Sequence, residues 1–174
     1  MLTLVLAIPR LVRARFTGRM TLTDLVAAGF LIAVVATAVV SGVFFAFSSF
    51  VMPALARQAS RDGIAAMQSI NITAVRPAFM SLLFGTAALT AAVGIAGFGD
   101  PRVVIGAALY LVGVIGVTIA AHVPRNNALA AIDRDAPQAE SAWRRYLTGW
   151  RRWNHVRWIA AGASSAAFLT AVAG

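Results

Sequence analysis

LVAAGFLIAVVATAVVSGVFFAFSSFVMPALA, residues 25–56, runs for 32 residues without a formal charge. About 20 helical residues, rising 1.5 Å each, cross a hydrocarbon core of roughly 30 Å, so this run is more than long enough to span a bilayer. Three further runs share its character: 23 uncharged residues separate Arg76 from Asp100, 22 separate Arg102 from Arg125, and 17 follow Arg157. The last just reaches spanning length. Four transmembrane helices follow, over about residues 24–55, 77–98, 102–122 and 153–173.

Composition points the same way. Apolar residues make up 60% of the 174, charged residues 12%, and the mean hydropathy is +0.80; a water-soluble chain of this size would lack the polar surface to cover itself. In lipid every backbone amide must be bonded internally, and apolar runs longer than 15 residues suit helices rather than barrel strands of about ten. The expected fold is all-α, a single integral membrane four-helix bundle over 21–174, with short interfacial helices in the loops after the first and third spans.

All fifteen basic residues are arginine, giving a net charge of +9; the missing lysine reads as codon bias in a GC-rich bacterial genome. The arginines flank apolar spans and form no stripe with an aromatic platform, so nucleic acid is not an expected partner and anionic membrane lipids are. Zero cysteines exclude disulfides, thiolate metal sites and thiol redox catalysis. Residues 1–20, MLTLVLAIPRLVRARFTGRM, place Arg10, Arg13, Arg15 and Arg19 after the apolar stretch, the reverse of a secretory signal. They read as an interfacial amphipathic helix or as an over-extended start, with Met20 the true beginning.

The loops after the first and third spans, with their borders, hold Arg57, Arg61, Arg76, Arg125, Arg134, Arg144, Arg145, Arg151, Arg152 and Arg157; the other side holds Arg102 and the N-terminal four. The positive-inside rule then puts the long loops in the cytoplasm and both termini outside, in a bacterial cytoplasmic membrane, with the N-terminal cluster opposing that assignment. The far turn, Gly97-Phe98-Gly99-Asp100-Pro101, carries one acid and no catalytic company. Polar chemistry collects on the long-loop side, in Asn71, Arg76, His122, Arg125, Asn126, Asn127, Trp150, Trp153, Asn154, His155 and Arg157.

In the first long loop Ile64, Met67, Ile70 and Asn71 fall at helical spacing, which predicts a short helix on the bundle mouth with Asn71 needing a partner. In the second, Pro124 ends the third span and Pro137 opens a new helical run. From there Trp143, Tyr146/Leu147, Trp150, Asn154 and Arg157 recur on one helical face. An aromatic belt with snorkelling arginines accounts for much of this stripe. It does not account for Asn154, and an ionisable residue inside a span, as Arg157 is, marks a functional site by default.

Phe44, Phe45, Phe47 and Phe50 surround Ser41, Ser48 and Ser49 at the end of the first span, as packing or as the wall of a pocket for a flat aromatic molecule. Small residues at four-residue spacing, Gly29/Ala33/Thr37/Ser41 and Gly162/Ala166/Thr170, allow close helix contact and leave a homo-oligomer open. His122 and His155 fall at one end of the bundle, but two ligands without a Glu-x-x-His pattern are too few for a metal centre, so none is expected.

In order along the chain, GVFFAFSSFVMPAL, AAMQSIN, VPRNNALAAI and WRRYLTGWRRWNHVRW resemble the anthrone oxygenase-like family of small membrane proteins, over about residues 22–174. Trp150 to Arg157, with Asn126 and Asn127, is the most specific part. The resemblance implies a four-helix bundle and, for members tied to aromatic polyketides, oxidation of an anthrone to an anthraquinone by molecular oxygen with no flavin, haem or metal cofactor. It further implies Arg157 and Asn154 stabilising an oxyanion, His155 as base, Asn71, Asn126 and Asn127 orienting substrate, and Trp150 and Trp153 stacking on its rings. His122 departs from the family pattern, which has an amide there. Three readings stand: an oxygenase of a hydrophobic phenolic or anthrone-like substrate, a non-enzymatic membrane protein binding lipid or a small molecule, and an accessory subunit packing through Gly and Ala faces.

Overall fold

The computed structural model describes residues 21–173; the expectation for residues 1–20 lies outside them. Every regular element described is helical. Helix α1 begins at Leu22 behind a capping box, in which Thr21 Oγ1 accepts from the Asp24 amide and the Asp24 carboxylate accepts from the Thr21 amide. It runs to Ala46, widens into a π-helical segment at Phe47–Val51 and closes with Met52–Leu55. Helix α2 (Ser60–Ala74) follows, then α3 (Pro77–Ala96). Helix α4 spans Pro101–Ala130 and contains two π-helical stretches, Leu111–Gly116 and Thr118–His122; α5 is a single 35-residue helix, Ala139–Ala173.

Four of these, α1, α3, α4 and α5, are long and apolar enough to cross a membrane. They pack as a closed ring in sequence order, each on the next, with α5 returning to α1. Helix α2 lies across one end. The expected bundle and the expected interfacial helix in the first long loop are both present. The second long loop differs from expectation, because its helical parts are not separate: α4 passes through Pro124 to Ala130, and the run after Pro137 is the first third of α5. Proline normally stops a helix because it lacks the N–H and its ring strikes the carbonyl four residues back. Here the π segment Thr118–His122 has already widened the turn ahead of Pro124, and Arg125 Nη1 donates to the Ala121 carbonyl at 2.7 Å. Pro53 follows the Phe47–Val51 segment in the same way.

On α5 the residues Trp143, Tyr146, Trp150, Asn154, Arg157, Ala161, Ser164 and Phe168 are all buried, spaced three or four apart, a 3.5-residue repeat that keeps one seam facing the bundle axis. Hydroxyls stitch α5 to its neighbours and α4 to α3. Ser41 Oγ donates to the Trp158 carbonyl (2.8 Å), Ser165 Oγ to Val34 (2.9 Å), Ser164 Oγ to Gly106 (2.7 Å) and Tyr110 Oη to Leu83 (3.1 Å); such bonds hold helices together where lipid gives little hydrophobic drive. The small-residue pattern works at Ala33, Thr37 and Ser41 on α1 and at Gly162 on α5, whereas Ala166 and Thr170 are exposed. At the far end Arg102 is paired with Asp100 and donates to the Thr170 carbonyl; the guanidinium holds the Asp100 carboxyl below its usual range.

Helix α2 is held down by three contacts. Gln68 Nε2 donates to the carbonyls of Leu129 (2.9 Å) and Ile132 (3.0 Å) at the end of α4 and beyond it, Ile64 and Met67 enter a core with Met52, Trp143 and Trp150, and Gly63 lies flat on the Trp143 indole. A Cβ at Gly63 would stand 2.7 Å from Trp143 Cζ2, a rigid buried ring that cannot swing aside. Gly63→Ala is therefore expected to lose about 1–3 kcal/mol by overpacking. Thermal unfolding in detergent checks this: the midpoint should fall, and Trp143→Leu in the same chain should recover part of the loss.

Candidate functional site

Helical spacing puts Trp150, Asn154 and Arg157 on the inner face of α5 at i, i+4 and i+7. They meet the π-helical ends of α1 and α4. Between these elements, α2 and the start of α3 lies a cavity of about 660 Å³ whose lining includes Phe44, Phe47, Asn71, Arg76, Thr118, His122, Asn126, Trp150 and Arg157. Most of its wall is apolar, and the polar groups converge from four elements, the usual build of a small-molecule site.

Arg157 is the centre of the arrangement. Its side chain is 5% exposed; Nη2 donates to Asn154 Oδ1 at 2.7 Å and Nη1 to Thr118 Oγ1 at 3.3 Å, and Nε has no partner. The guanidinium lies 4.0 Å from the Phe44 ring centroid and 5.5 Å from that of Trp150. All six acids of the chain lie within the described residues, and no ion pair joins any of them to Arg157. An arginine stays charged in proteins, so the cavity carries an uncompensated positive charge.

Asn154 fixes that charge in place. It is fully buried, and Nδ2 donates to the Phe44 carbonyl and to Ser48 Oγ, both at 2.7 Å, which turns Oδ1 towards Arg157. Ser48 stands within the π segment of α1. One asparagine thus ties α1 to α5 and orients the guanidinium.

On the other side of Trp150 stands His122, its ring centroid 5.0 Å from the indole and nearly perpendicular to it. The imidazole is 2% exposed and neither ring nitrogen has a partner, although a buried polar atom normally has one. The Nδ2 of Asn71 is likewise unpaired. Asn126 Oδ1 accepts from Tyr146 Oη at 3.0 Å, closing the roof between α4 and α5.

Of the residues singled out from sequence, Arg157, Asn71, Asn126 and Trp150 line one cavity, and Asn154 braces it from behind. The structure does not bring in the other three. His155 is exposed and its Nδ1 accepts from Trp158 Nε1 at 3.0 Å; Trp153 is 36% exposed; Asn127 is exposed on the outer side of α4. Residues next to one another on a helix point 100° apart, so Trp153 and His155 leave the face that Asn154 occupies. The two histidines do not meet. Sequence reasoning assigned no role to His122, Thr118 or Ser48. Their signal was position, since His122 and Thr118 are four apart at the mouth end of the third span and Ser48 is four after Phe44. The phenylalanine cluster serves both readings, with Phe44 and Phe47 on the cavity while Phe45 and Phe50 are exposed.

Burying an unpaired charge costs several kcal/mol, whereas leaving Asn154 Oδ1 without its donor costs about 1–3 kcal/mol. The first term is larger. Arg157→Met, which keeps the volume and removes the charge, is thus expected to unfold at the same or a higher temperature than the parent in detergent; a clear drop would show that the guanidinium is a structural strut.

The family model described as anthrone oxygenase matches residues 67–167, more than half of the chain. Every polar side chain lining the cavity lies within that stretch. No protein of curated function and no solved structure matches the chain.

Proposed function

The chain belongs to the anthrone oxygenase family, and from that premise we propose that it is an oxygenase, needing no organic cofactor or metal, that oxidises a flat, membrane-soluble phenolic ketone of the anthrone type with molecular oxygen. The observation that carries this reading is the buried Arg157 guanidinium, held by Asn154 over aromatic walls and lacking a carboxylate partner. Such a site favours a ligand that is an anion or becomes one.

An anthrone becomes one readily. Loss of a proton from its activated methylene gives an electron-rich anthrolate whose charge rests largely on the ketone oxygen, and that anion can pass an electron to oxygen directly. His122, with two unpartnered nitrogens on the cavity, takes the methylene proton. Arg157 holds the developing oxyanion, a preorganised donor in a water-poor site. Electron transfer gives a carbon radical and superoxide, which combine as a peroxide at the former methylene; loss of the remaining hydrogen there with cleavage of the O–O bond releases water and leaves the quinone. One anthrone and one O₂ give one anthraquinone and one water. Trp150 and Phe44 flank the ring system, and Asn71 and Asn126 meet its peripheral hydroxyls. His155, the base implied by the family resemblance, has no place in this scheme because its ring is exposed and bonded to Trp158.

Non-enzymatic binding of an acidic amphiphile at the same cavity is the second reading, favoured by the same unpaired charge. Oxygen uptake and quinone formation by purified protein given an anaerobically prepared anthrone, against a no-protein autoxidation control, separate the two. The parent is expected to accelerate the reaction, Arg157→Met to lose about 10²-fold or more, as removing one oxyanion donor does elsewhere, and His122→Phe to lose about 10²-fold, the usual worth of a general base. Asn154→Asp sets a carboxylate against Arg157 and should abolish acceleration; because it also gives up the Nδ2 bond to the Phe44 carbonyl, its rate is read beside its unfolding temperature in detergent. Rates equal to autoxidation, with the ligand still bound by the parent, would leave the binding reading in its place.

A further inference from the structure

The roof over the cavity is pinned down, with Ser69, Thr73 and Arg76 exposed along its polar rim, while its side is edged by apolar residues alone. On the long-loop side Met67 (1% exposed) and Trp150 (4%) cover it, Gln68 pins α2 to the end of α4, and the Tyr146–Asn126 bond bridges α5 and α4. On the flank facing the bilayer, four large apolar residues line the cavity and are exposed at once: Val75 (68%) and Phe84 (51%) at the α3 edge, Ile119 (61%) and Val123 (45%) on α4.

Helices α3 and α4 pack closely at the other end, where a Cβ on Gly94 would stand 2.8 Å from that of Ala107, and they are tied midway by Tyr110 Oη on the Leu83 carbonyl. From that tie towards the mouth the cavity lies between them. Helix α3, at 20 residues, is about 30 Å long and just spans the hydrocarbon core. Phe84 is eight residues beyond Arg76, so the open flank runs from the head-group level to roughly 12 Å below it. Arg157 is 16 residues from Ala173, roughly 24 Å above the far end of α5 and so about 6 Å beneath the mouth-side edge of the core.

We propose that the cavity is loaded sideways, from the lipid leaflet on the long-loop side, through the gap between Val75/Phe84 and Ile119/Val123. Its ligand is then a membrane-dissolved amphiphile whose acidic oxygen rides just below the head groups, at the depth of Arg157, rather than a water-soluble metabolite. The proposal rests on the cavity being the ligand site, as in the reading above, and not on any turnover there.

The cysteine-free chain makes the test direct. Single variants Phe84→Cys and Ile119→Cys, and Val35→Cys on the lipid-exposed side of α1, are alkylated to completion with N-benzylmaleimide in vesicles, as checked by mass. Loading is then followed with 1,8-dihydroxyanthraquinone dissolved in the bilayer, as the part of tryptophan quenching that Arg157→Met abolishes. Adducts at Phe84→Cys and Ile119→Cys should slow loading and release alike, by about tenfold or more, with Kd nearly unchanged, because a doorway alters both rates and not the equilibrium; the Val35→Cys adduct should change neither. Unaltered rates at both edge positions overturn side entry while leaving the site itself standing. Weaker binding with unchanged release also overturns it, because the adduct then fills the site. No Arg157-dependent quenching in the unmodified protein overturns both the ligand site and its side entry.

Discussion

A guanidinium with no carboxylate to answer it sets the terms for one end of this bundle. Charge in a span is costly, and a fold that keeps it must supply dipoles and polarisable surfaces in place of water. Here those are the Asn154 amide, the Thr118 hydroxyl and the faces of Phe44 and Trp150. Each comes from an element that must be in register for the contact to exist. Asn154 reaches Oδ1 towards Arg157 only because its Nδ2 is spent on the Phe44 carbonyl and Ser48, which fixes α1 against α5. Packing of the helices and polarity of the site are thus one problem with one solution.

That solution explains which parts could be read from sequence. Charge-free runs gave four spans, and the repeat from Trp143 to Arg157 gave the inner face of α5, since a period near 3.5 is a property of order along the chain. The block Trp153-Asn154-His155 misleads for the same reason. Its three functional-group types are neighbours in sequence and therefore diverge in space, with Asn154 fully buried and His155 exposed. His122 could not be assigned from its own helix, because what makes it interesting is Trp150 on another.

The π-helical segments were not legible either, and they shape the site. Pro53 and Pro124 read as breaks, yet both follow stretches with wider turns, and both helices continue. No residue type marks a π turn. The wider turns leave room for the cavity beside α1 and α4 while the helices stay hydrogen-bonded, as lipid requires. Ser48, Thr118 and His122, the residues that the sequence left without a role, are all in these segments, in keeping with the tendency of π turns to occur at functional sites.

On the proposed reading, the chemistry of the pocket would also select among anions. A phosphate or carboxylate concentrates its charge on a few oxygens and gives up a strong hydration shell on entering an apolar wall, a loss that one arginine with one free nitrogen offsets poorly. A phenolate or enolate fused to several rings spreads the same charge over carbon, leaves water at less cost, and offers flat faces to Phe44 and Trp150. Arginine suits it better than lysine, because a planar, weakly hydrated guanidinium needs less water of its own and stacks as it pairs. A purely accessory helix bundle would need no buried charge at all. On that reading the walls and the cation together suit a delocalised oxyanion, formed in place from a neutral, lipid-soluble precursor.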